Sequence, residues 1–348
     1  MSTPARLSPT PRPDGPSGAR PLLLVIIGVP LLIGFVLWAF AWPSARSEPH
    51  QLPVGLVGSS AEATALAGER LAGQGDAFEV REYQDEAAAR RAIEEREVYG
   101  AFVLTDTGQP EVLTASAGGA AVSQLLVGAA QAQAPDGVQV TVTDVVPAPA
   151  GDPRGAAFGA SLLPLVMAGI ATGALLTVSG LRGGRALAAL LGAAVLAGSV
   201  ATLIARDWLG ALAGDWWQVA GVLGLLVAAG GATVAGLAAL LGRAGIGVGA
   251  LLLMLLGNPW SGAASAPELL PVPVGDLGQL LPAGAGASLL RSVAFFDGHA
   301  AGFPLLVLFG WLALGAAAVL VGGRRAGAAS AARPAGAAVP AAAPAPAG

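Results

Sequence analysis

The 348-residue chain has no cysteine and no lysine; all 18 basic residues are arginine. Without cysteine there is no disulfide, no thiol nucleophile and no thiolate metal site. Histidine occurs only at His50 and His299, too isolated in sequence to suggest a metal site. Charge is scarce as well, at 11% of residues where an average soluble domain carries about 25%. No basic run marks a nucleic-acid surface, and no Gly-x-x-x-x-Gly-Lys phosphate loop occurs. What fills the chain instead is apolar: 54% hydrophobic residues, 51 glycines and a mean hydropathy of +0.68. Such a composition belongs in a bilayer, and its wealth of Ala and Gly suits close-packed transmembrane helices. The exclusive use of arginine fits the coding bias of a GC-rich bacterial genome.

Hydropathy divides the chain. Residues 1–20 are Pro-, Ser- and Gly-rich and read as a disordered cytoplasmic N-terminus. Residues 21–42 carry no charge and read as transmembrane helix 1. Ala39-Phe-Ala41 resembles a signal-peptidase site, yet the apolar stretch exceeds the usual signal core, so a retained anchor is expected. Residues 43–156 hold 7 Arg against 16 acidic residues and read as a folded α/β domain. Strands are expected at 54–57, 78–81, 99–105, 111–116 and 138–143. Helices are expected at 59–74 behind the capping box Ser59-Ser-Ala-Glu62, at 86–97 behind Asp85 with a Glu86–Arg90 pair, and at 120–134. The charged run 85–97 reads as a solvated helix face, and Asp106-Thr-Gly108 as a turn. Gly55-Leu-Val-Gly-Ser-Ser60 is a capped strand-to-helix turn without the lysine of a phosphate loop.

Five further spans are expected within residues 157–323, at 157–179, 186–205, 219–242, 245–263 and 303–323. Arg182, Arg185, Arg243, Arg324 and Arg325 fall in one set of loops, against Arg206 and Arg291 in the other. The positive-inside rule then predicts six spans with both termini cytoplasmic and residues 43–156 extracytoplasmic, in a bacterial cytoplasmic membrane. Trp42, Trp208, Trp216, Trp217 and Trp260 would form an outer aromatic belt. Residues 324–348, rich in Ala and Pro, read as a disordered cytoplasmic tail. The fold class is thus an α-helical integral membrane protein of six transmembrane helices, with an α/β extracytoplasmic domain inserted between helices 1 and 2.

The stretch 245–291 is the most pointed. Its first apolar run rises only about 20 Å before Asn258-Pro-Trp-Ser-Gly262, short of a hydrocarbon core of about 30 Å. It then continues apolar but broken by Pro and Gly, which predicts a re-entrant or interfacial outer hairpin over 258–291. Asn258, Pro259, Trp260, Ser261, Gly262, Pro267, Glu268, Pro271, Pro282, Gly284, Gly286 and Arg291 are the candidate gate and hinge residues. Glu268 and Arg291 are expected to pair across the hairpin. Ser261 invites comparison with an intramembrane serine protease, but Pro259 stands where that motif needs Gly, and no base lies near in sequence. Pro259 ends the helix, and Asn258 can bond the carbonyls it frees. The pairs Gly169/Gly173 and Gly245/Gly249 are read as helix-packing positions. Ser161, Thr172, Thr177, Ser199, Thr202 and Thr233 are read as hydroxyls bonded back to their own helices. No span interior holds an ionisable residue, which argues against ion-coupled transport. No catalytic residue, metal ligand or cofactor is indicated.

One span, a large outer α/β domain and then five spans is a layout that resembles ABC-2-type transporter permeases, in the branch of phage-infection-protein-like membrane proteins. The likeness rests on Leu52-Pro-Val-Gly-Leu-Val57, Ala92-Ile-Glu-Glu-Arg-Glu-Val-Tyr-Gly-Ala101, Leu113-Thr-Ala-Ser-Ala117, Asp144-Val-Val-Pro147 and Asp152-Pro-Arg-Gly155. It continues through Asn258-Pro-Trp-Ser-Gly262 and Leu281-Pro-Ala-Gly-Ala-Gly286, over most of residues 20–325. The resemblance implies a permease subunit, itself not an enzyme, that pairs with a separate cytoplasmic ATPase and moves an apolar or amphipathic compound outward. It also implies a segment re-entering the membrane from outside between the fifth and sixth spans. The sequence departs from the family in its short inner loops, Leu181-Arg-Gly-Gly-Arg185 and Arg243-Ala244, which offer an ATPase little surface. Expected partners are the lipid bilayer, that ATPase and a second copy of the chain, with no nucleic acid. The alternative reading is a membrane-anchored surface binding or assembly protein whose outer domain is the working part.

Overall fold

A computed structural model describes residues 19–58, 75–104, 110–134 and 137–331, with a few positions between 60 and 73. Ser59, Ala61 and Glu62 of the capping box, most of the helix expected behind it, and the turn at 106–108 lie outside the described residues, as do residues 1–18 and 332–348. The chain enters as α1 (Ala19–Ala45), which tolerates Pro30 and Pro43 within it. Almost all its large side chains are exposed. It meets the rest of the protein near buried Ala39 and through Trp38, whose ring lies edge-on to Trp260 at 6.1 Å.

The domain expected outside is a five-stranded mixed sheet of β1 (Leu52–Val57), β2 (Phe78–Glu82), β3 (Gly100–Leu104), β4 (Pro110–Thr114) and β5 (Thr141–Asp144), in the order β2-β1-β3-β4-β5. β1 runs parallel to β2 and β3, β3 pairs antiparallel with β4, and β4 runs parallel to β5. β5 begins later than the Val138–Val142 alternation suggests, because its register starts at Glu111 opposite Thr141. The helix α2 (Glu86–Glu94) is capped by Asp85, whose carboxylate accepts from the Ala88 N–H at 2.7 Å, and carries the Glu86–Arg90 pair at 2.6 Å. It stops three residues before the expected end. On the opposite face lies α3 (Ala120–Gln133). Both faces of the sheet are therefore covered, and β1 is buried along nearly its whole length.

Neither apolar layer of this sheet closes on itself. The layer under α2 contains Val57, Ile93, Val103 and Leu113, and also Phe296 from far along the chain. The layer under α3 contains Leu52, Val54, Val112 and Leu126 together with Ala266 and Leu269. Residues of the later, mostly helical part thus complete the core of the outer domain.

Five described helices are long and apolar enough to cross a membrane: Val25–Ala45, Ala156–Val178, Gly183–Trp208, Trp216–Leu241 and Gly302–Arg325. They comprise most of α1; α4 (Ala156–Val178); α5 (Gly183–Thr202) with a π-helical turn to Trp208; α6 (Trp216–Leu241); and most of α10 (Gly302–Ala331). Helix α10 continues past the point where a disordered tail is expected. Where the span 245–263 is expected stands a shorter piece, the nine-residue α7 (Arg243–Leu251) continued by six residues of π-helix to Gly257. Together they rise about 22 Å.

Helix α6 is the hub. Asp215 caps it by accepting from the N–H groups of Trp217 and Gln218, and most of its residues are buried. Lipid offers no hydrophobic drive between helices, so close van der Waals approach must hold them, and α6 achieves this with small residues on several sides. A Cβ on Gly173 of α4 would meet the Gly231 carbonyl oxygen at 2.6 Å, and one on Gly169 the Val227 carbonyl at 3.2 Å. Gly198 of α5 lies against Ala220 and Gly224, Gly236 against Gly315 of α10, and Gly245 and Gly249 of α7 against Leu237 and Val234. All four glycines picked out by sequence spacing thus pack within the chain. The six hydroxyls of Ser161, Thr172, Thr177, Ser199, Thr202 and Thr233 each donate to the carbonyl four residues back.

Candidate functional site

After Gly257 the chain turns and forms a hairpin of ordered pieces: a 3-10 turn at Pro267–Leu269, α8 (Val274–Gln279) and α9 (Pro282–Phe295). Leu281-Pro-Ala-Gly-Ala-Gly286 reads as a helix breaker in sequence, yet it opens α9. Pro282 occupies the first turn, where its missing N–H costs nothing. The glycines that look disruptive allow close approach. Gly284 lies on the Gly278 carbonyl, and a Cβ on Gly286 would strike Leu226 of α6 at 2.8 Å. From Pro282 to Ser292, α9 is buried save at Ser288, which is half-buried.

The hairpin start is stitched by backbone and small polar groups. Asn258 contributes its carbonyl, which accepts from the Ser261 hydroxyl at 2.7 Å; no side-chain bond of Asn258 occurs among the described residues. The Ser261 hydroxyl also accepts from the Ala263 N–H, and the Ser261 carbonyl accepts from Gln279 Nε2. A buried serine so occupied, with no base on it, is a structural residue. Trp260 packs on Trp38 and Gly278, its indole N–H buried without a partner. Pro259 lies in the turn. Gly262 has φ +64°, and a Cβ there would meet the Pro267 nitrogen at 2.6 Å, so only glycine fits. Pro271 accepts from the Val274 N–H at 2.6 Å, and Pro267 from that of Leu270 at 3.0 Å.

Glu268 and Arg291 do not pair. Glu268 Oε2 accepts from the Tyr99 hydroxyl at 2.7 Å, while Arg291 donates through Nη2 to the Ala263 carbonyl at 3.0 Å. Arg291, only 4% exposed, lays its guanidinium 4.9 Å from the centre of the Phe158 ring. Packing fixes the two side chains in different directions: Glu268 toward the sheet and Arg291 into the contact between α9 and α4.

The partners Glu268 does find define the candidate site. At the end of α2 the chain reverses through Arg96, whose φ of +61° is unusual for a non-glycine residue. That turn points the Arg96 side chain at α9. Its Nη1 donates to the Ser288 carbonyl at 3.0 Å and to Ser292 Oγ at 2.5 Å, and its guanidinium stands 5.3 Å from the Phe296 ring centre. Three residues later Tyr99 reaches Glu268, whose own carbonyl accepts from the His50 N–H at 2.8 Å. Ser47 donates to the Leu269 carbonyl at 3.1 Å. Between the latches lies a cleft of about 290 Å³ bounded by Arg96, Glu97, Tyr99, Glu268, Asp276, Gln279, Ser288, Phe296 and Phe303. Burial lowers the pKa of the Arg96 guanidinium, an effect that Tyr99 and Glu268 oppose. Burial also pushes the Tyr99 hydroxyl well above the usual phenol range, and the negative charge of Glu268 pushes it further. Tyr99 is therefore a fixed proton donor at any physiological pH.

Of these residues only Glu268 is singled out by sequence. Arg96 lies at the end of a charged run that reads as a solvated face, and Tyr99 inside an apparent strand. The available signal is the row Ser288, Arg291, Ser292, polar residues at helical spacing within an apolar stretch. Among the described residues no group of three or more His, Asp or Glu could hold a metal ion. Comparisons with protein-family models, curated proteins and solved structures return no match.

Proposed function

We propose that the protein is the permease subunit of an exporter in a bacterial cytoplasmic membrane, moving an apolar or amphipathic compound outward with a separate ATPase. In this reading six segments cross the membrane, with 243–257 and the turn after it making the fifth. Both termini face the cytosol, the sheet domain lies outside, and two copies work together. The observation that carries the reading is helix α9. It belongs to an outer hairpin held by the sheet domain, yet packs against α6, the helix that α4, α5, α7 and α10 all touch. A ligand in the cleft would therefore act on a helix joined directly to the bundle core. A groove of about 590 Å³ between α5, α6, α9 and α10, lined almost wholly by apolar residues including Leu225, Leu289 and Phe309, would suit a greasy cargo.

A second reading, an anchored surface binding protein, is favoured by the meagre inner face. Gly242 alone ends α6 and begins α7, and α4 passes to α5 within four residues, 179–182. The test is co-purification of the tagged chain from its source, followed by reconstitution. An ATPase that copurifies and is stimulated by an amphiphile supports export; no ATPase and no stimulation by any amphiphile removes it in favour of the anchor. The absence of cysteine makes the topology measurable on the unaltered background. Single cysteines at Asp85 and Asp276 should react with an impermeant maleimide from outside intact cells, and one at Gly184 should not. The reverse pattern would invert the orientation.

A further inference from the structure

We infer that the cleft between the outer domain and the hairpin binds an organic ammonium carrying a compact apolar body. This deepens the proposed function by giving the cleft a ligand class. It relies on that reading for the place only, since binding is measurable without transport.

The cleft wall holds unspent hydrogen-bonding capacity. Gln279 uses both ends of its amide, donating to the Ser261 carbonyl and accepting from Ser288 Oγ at 2.6 Å. The Tyr99 hydroxyl donates its one hydrogen bond to Glu268 Oε2. Arg96 stands on the cleft wall beside Ser288 and Phe296, its Nη1 spent on two bonds to α9 and its guanidinium set against the Phe296 ring. What remains open, apart from the Nε and Nη2 donors of Arg96, is carboxylate oxygen. Among the described residues Asp276 accepts no hydrogen bond, Glu268 Oε1 accepts none, and Glu97 receives only a long 3.5 Å contact from the Tyr83 hydroxyl on Oε2. Three carboxylates thus line the cleft with acceptor sites to fill, against Arg96 as the single lining cation.

An ammonium is the complement of such a wall: up to three donors, no acceptor and a positive charge. A carboxylate or phosphate ligand would face like charge and find few donors. A neutral polar ligand would leave the wall's charge in place. The lining also carries the apolar side chains of Ile93, Phe296, Phe303 and Pro304, which accommodate a hydrocarbon body. About 290 Å³ lies at the small end of ligand sites. That admits one ring or short chain and excludes a whole lipid, although the amine headgroup of a lipid would fit.

The test uses the full chain in phosphatidylcholine nanodiscs, titrated calorimetrically with phenethylammonium and, as a size-matched anion, with hydrocinnamate. Phenethylammonium should bind saturably and hydrocinnamate should not. Asp276→Asn and Glu97→Gln should each weaken the amine on the order of tenfold. Both side chains are exposed and Asp276 has no partner, so these variants should fold, which an unchanged melting profile would confirm. Nanodiscs containing phosphatidylethanolamine separate the sources: weakened probe binding there identifies a lipid headgroup as occupant, and unchanged binding a free amine. Equal binding of hydrocinnamate, no saturable amine binding, or unchanged amine binding in the double variant overturns the inference. Amine binding without any ATPase partner would remove export and leave this site standing. Stimulation by other amphiphiles without amine binding would do the opposite.

Discussion

The Tyr99–Glu268 contact is the most direct hold of the outer domain on the hairpin, and Tyr99→Phe removes it with a single oxygen. The ring keeps its packing, so the loss is the hydrogen bond itself. Bonds to charged groups contribute about 1.5–3 kcal/mol, and a carboxylate stripped of its donor pays a desolvation cost only as far as water cannot replace it. Glu268 is half-buried and borders the cleft, so water reaches one side of it. We therefore expect the lower part of that range, about 1.5 kcal/mol, or about tenfold in a local opening equilibrium. The assay is amide hydrogen exchange on the full chain in detergent. The reporters are the N–H groups of Leu269, Leu270, Val274 and Leu277, which are bonded within the hairpin. In Tyr99→Phe they should exchange about tenfold faster, while the amides of β1 and β3 stay unchanged. Glu268→Gln, which still accepts from Tyr99, should fall in between. Equal acceleration throughout the sheet, or none in the hairpin, would show that the contact does not latch the two parts.

Three other outcomes follow from the same geometry. The chain has two tyrosines, and burial raises the pKa of Tyr83 as of Tyr99, so the native protein should show less tyrosinate absorbance at pH about 10 than free tyrosine, which is half ionised there. Because both folded values are raised, their contribution to stability is complete below pH about 10 and is lost above it; a native titration centred at 10 would refute the burial of both rings. Gly173→Ala should cost about 1–3 kcal/mol, since its methyl would strike the Gly231 carbonyl oxygen and the Val234 Cβ, whereas Gly192→Ala meets nothing and should be neutral or slightly stabilising; equal thermal midpoints for the two variants would contradict the α4–α6 contact. The charge swap Glu268→Arg with Arg291→Glu should not rescue the single variants, because Arg291 serves Ala263 and Phe158 and Glu268 serves Tyr99; recovery of the melting temperature in the double variant would restore the expected ion pair.

Local patterns were legible wherever the chain decides locally. Asp85 caps its helix, Glu86 meets Arg90, and Phe78 and Val80 sit in a strand because caps, i,i+4 pairs and alternation are set within a few residues. The long apolar helices read clearly for the same reason. The centrality of α6 did not, because it depends on which glycines of other helices face it, and every helix here is rich in glycine and alanine. Helix α9 was hidden by a composition that breaks helices in water. Buried against α6, the same glycines become contact surfaces, and Pro282 becomes a starting residue. The cleft was the least legible part. It draws on 93–99, 267–279 and 288–304, and nothing local to Arg96 says that its left-handed turn will aim it at a helix 192 residues away.

The shared core decides where the structure can open. Leu269 and Phe296 are almost fully buried in the two apolar layers of the outer sheet. Pulling the hairpin off the sheet would expose both, at about 1.5–3 kcal/mol for each large side chain, in addition to the Tyr99 and Arg96 bonds. The surface between α9 and α6 is different. It rests on close packing such as Gly286 against Leu226 and, under the proposed function, lies in lipid, where separation carries no hydrophobic penalty. Helix α1 gives little resistance, since it touches the rest mainly around Ala39 and Trp38. The low-cost movement is therefore a joint displacement of sheet domain and hairpin, with α9 sliding against α6. Under the proposed function, occupancy of the outer cleft would be transmitted through that sliding surface, and residues of the cleft would act by setting its position.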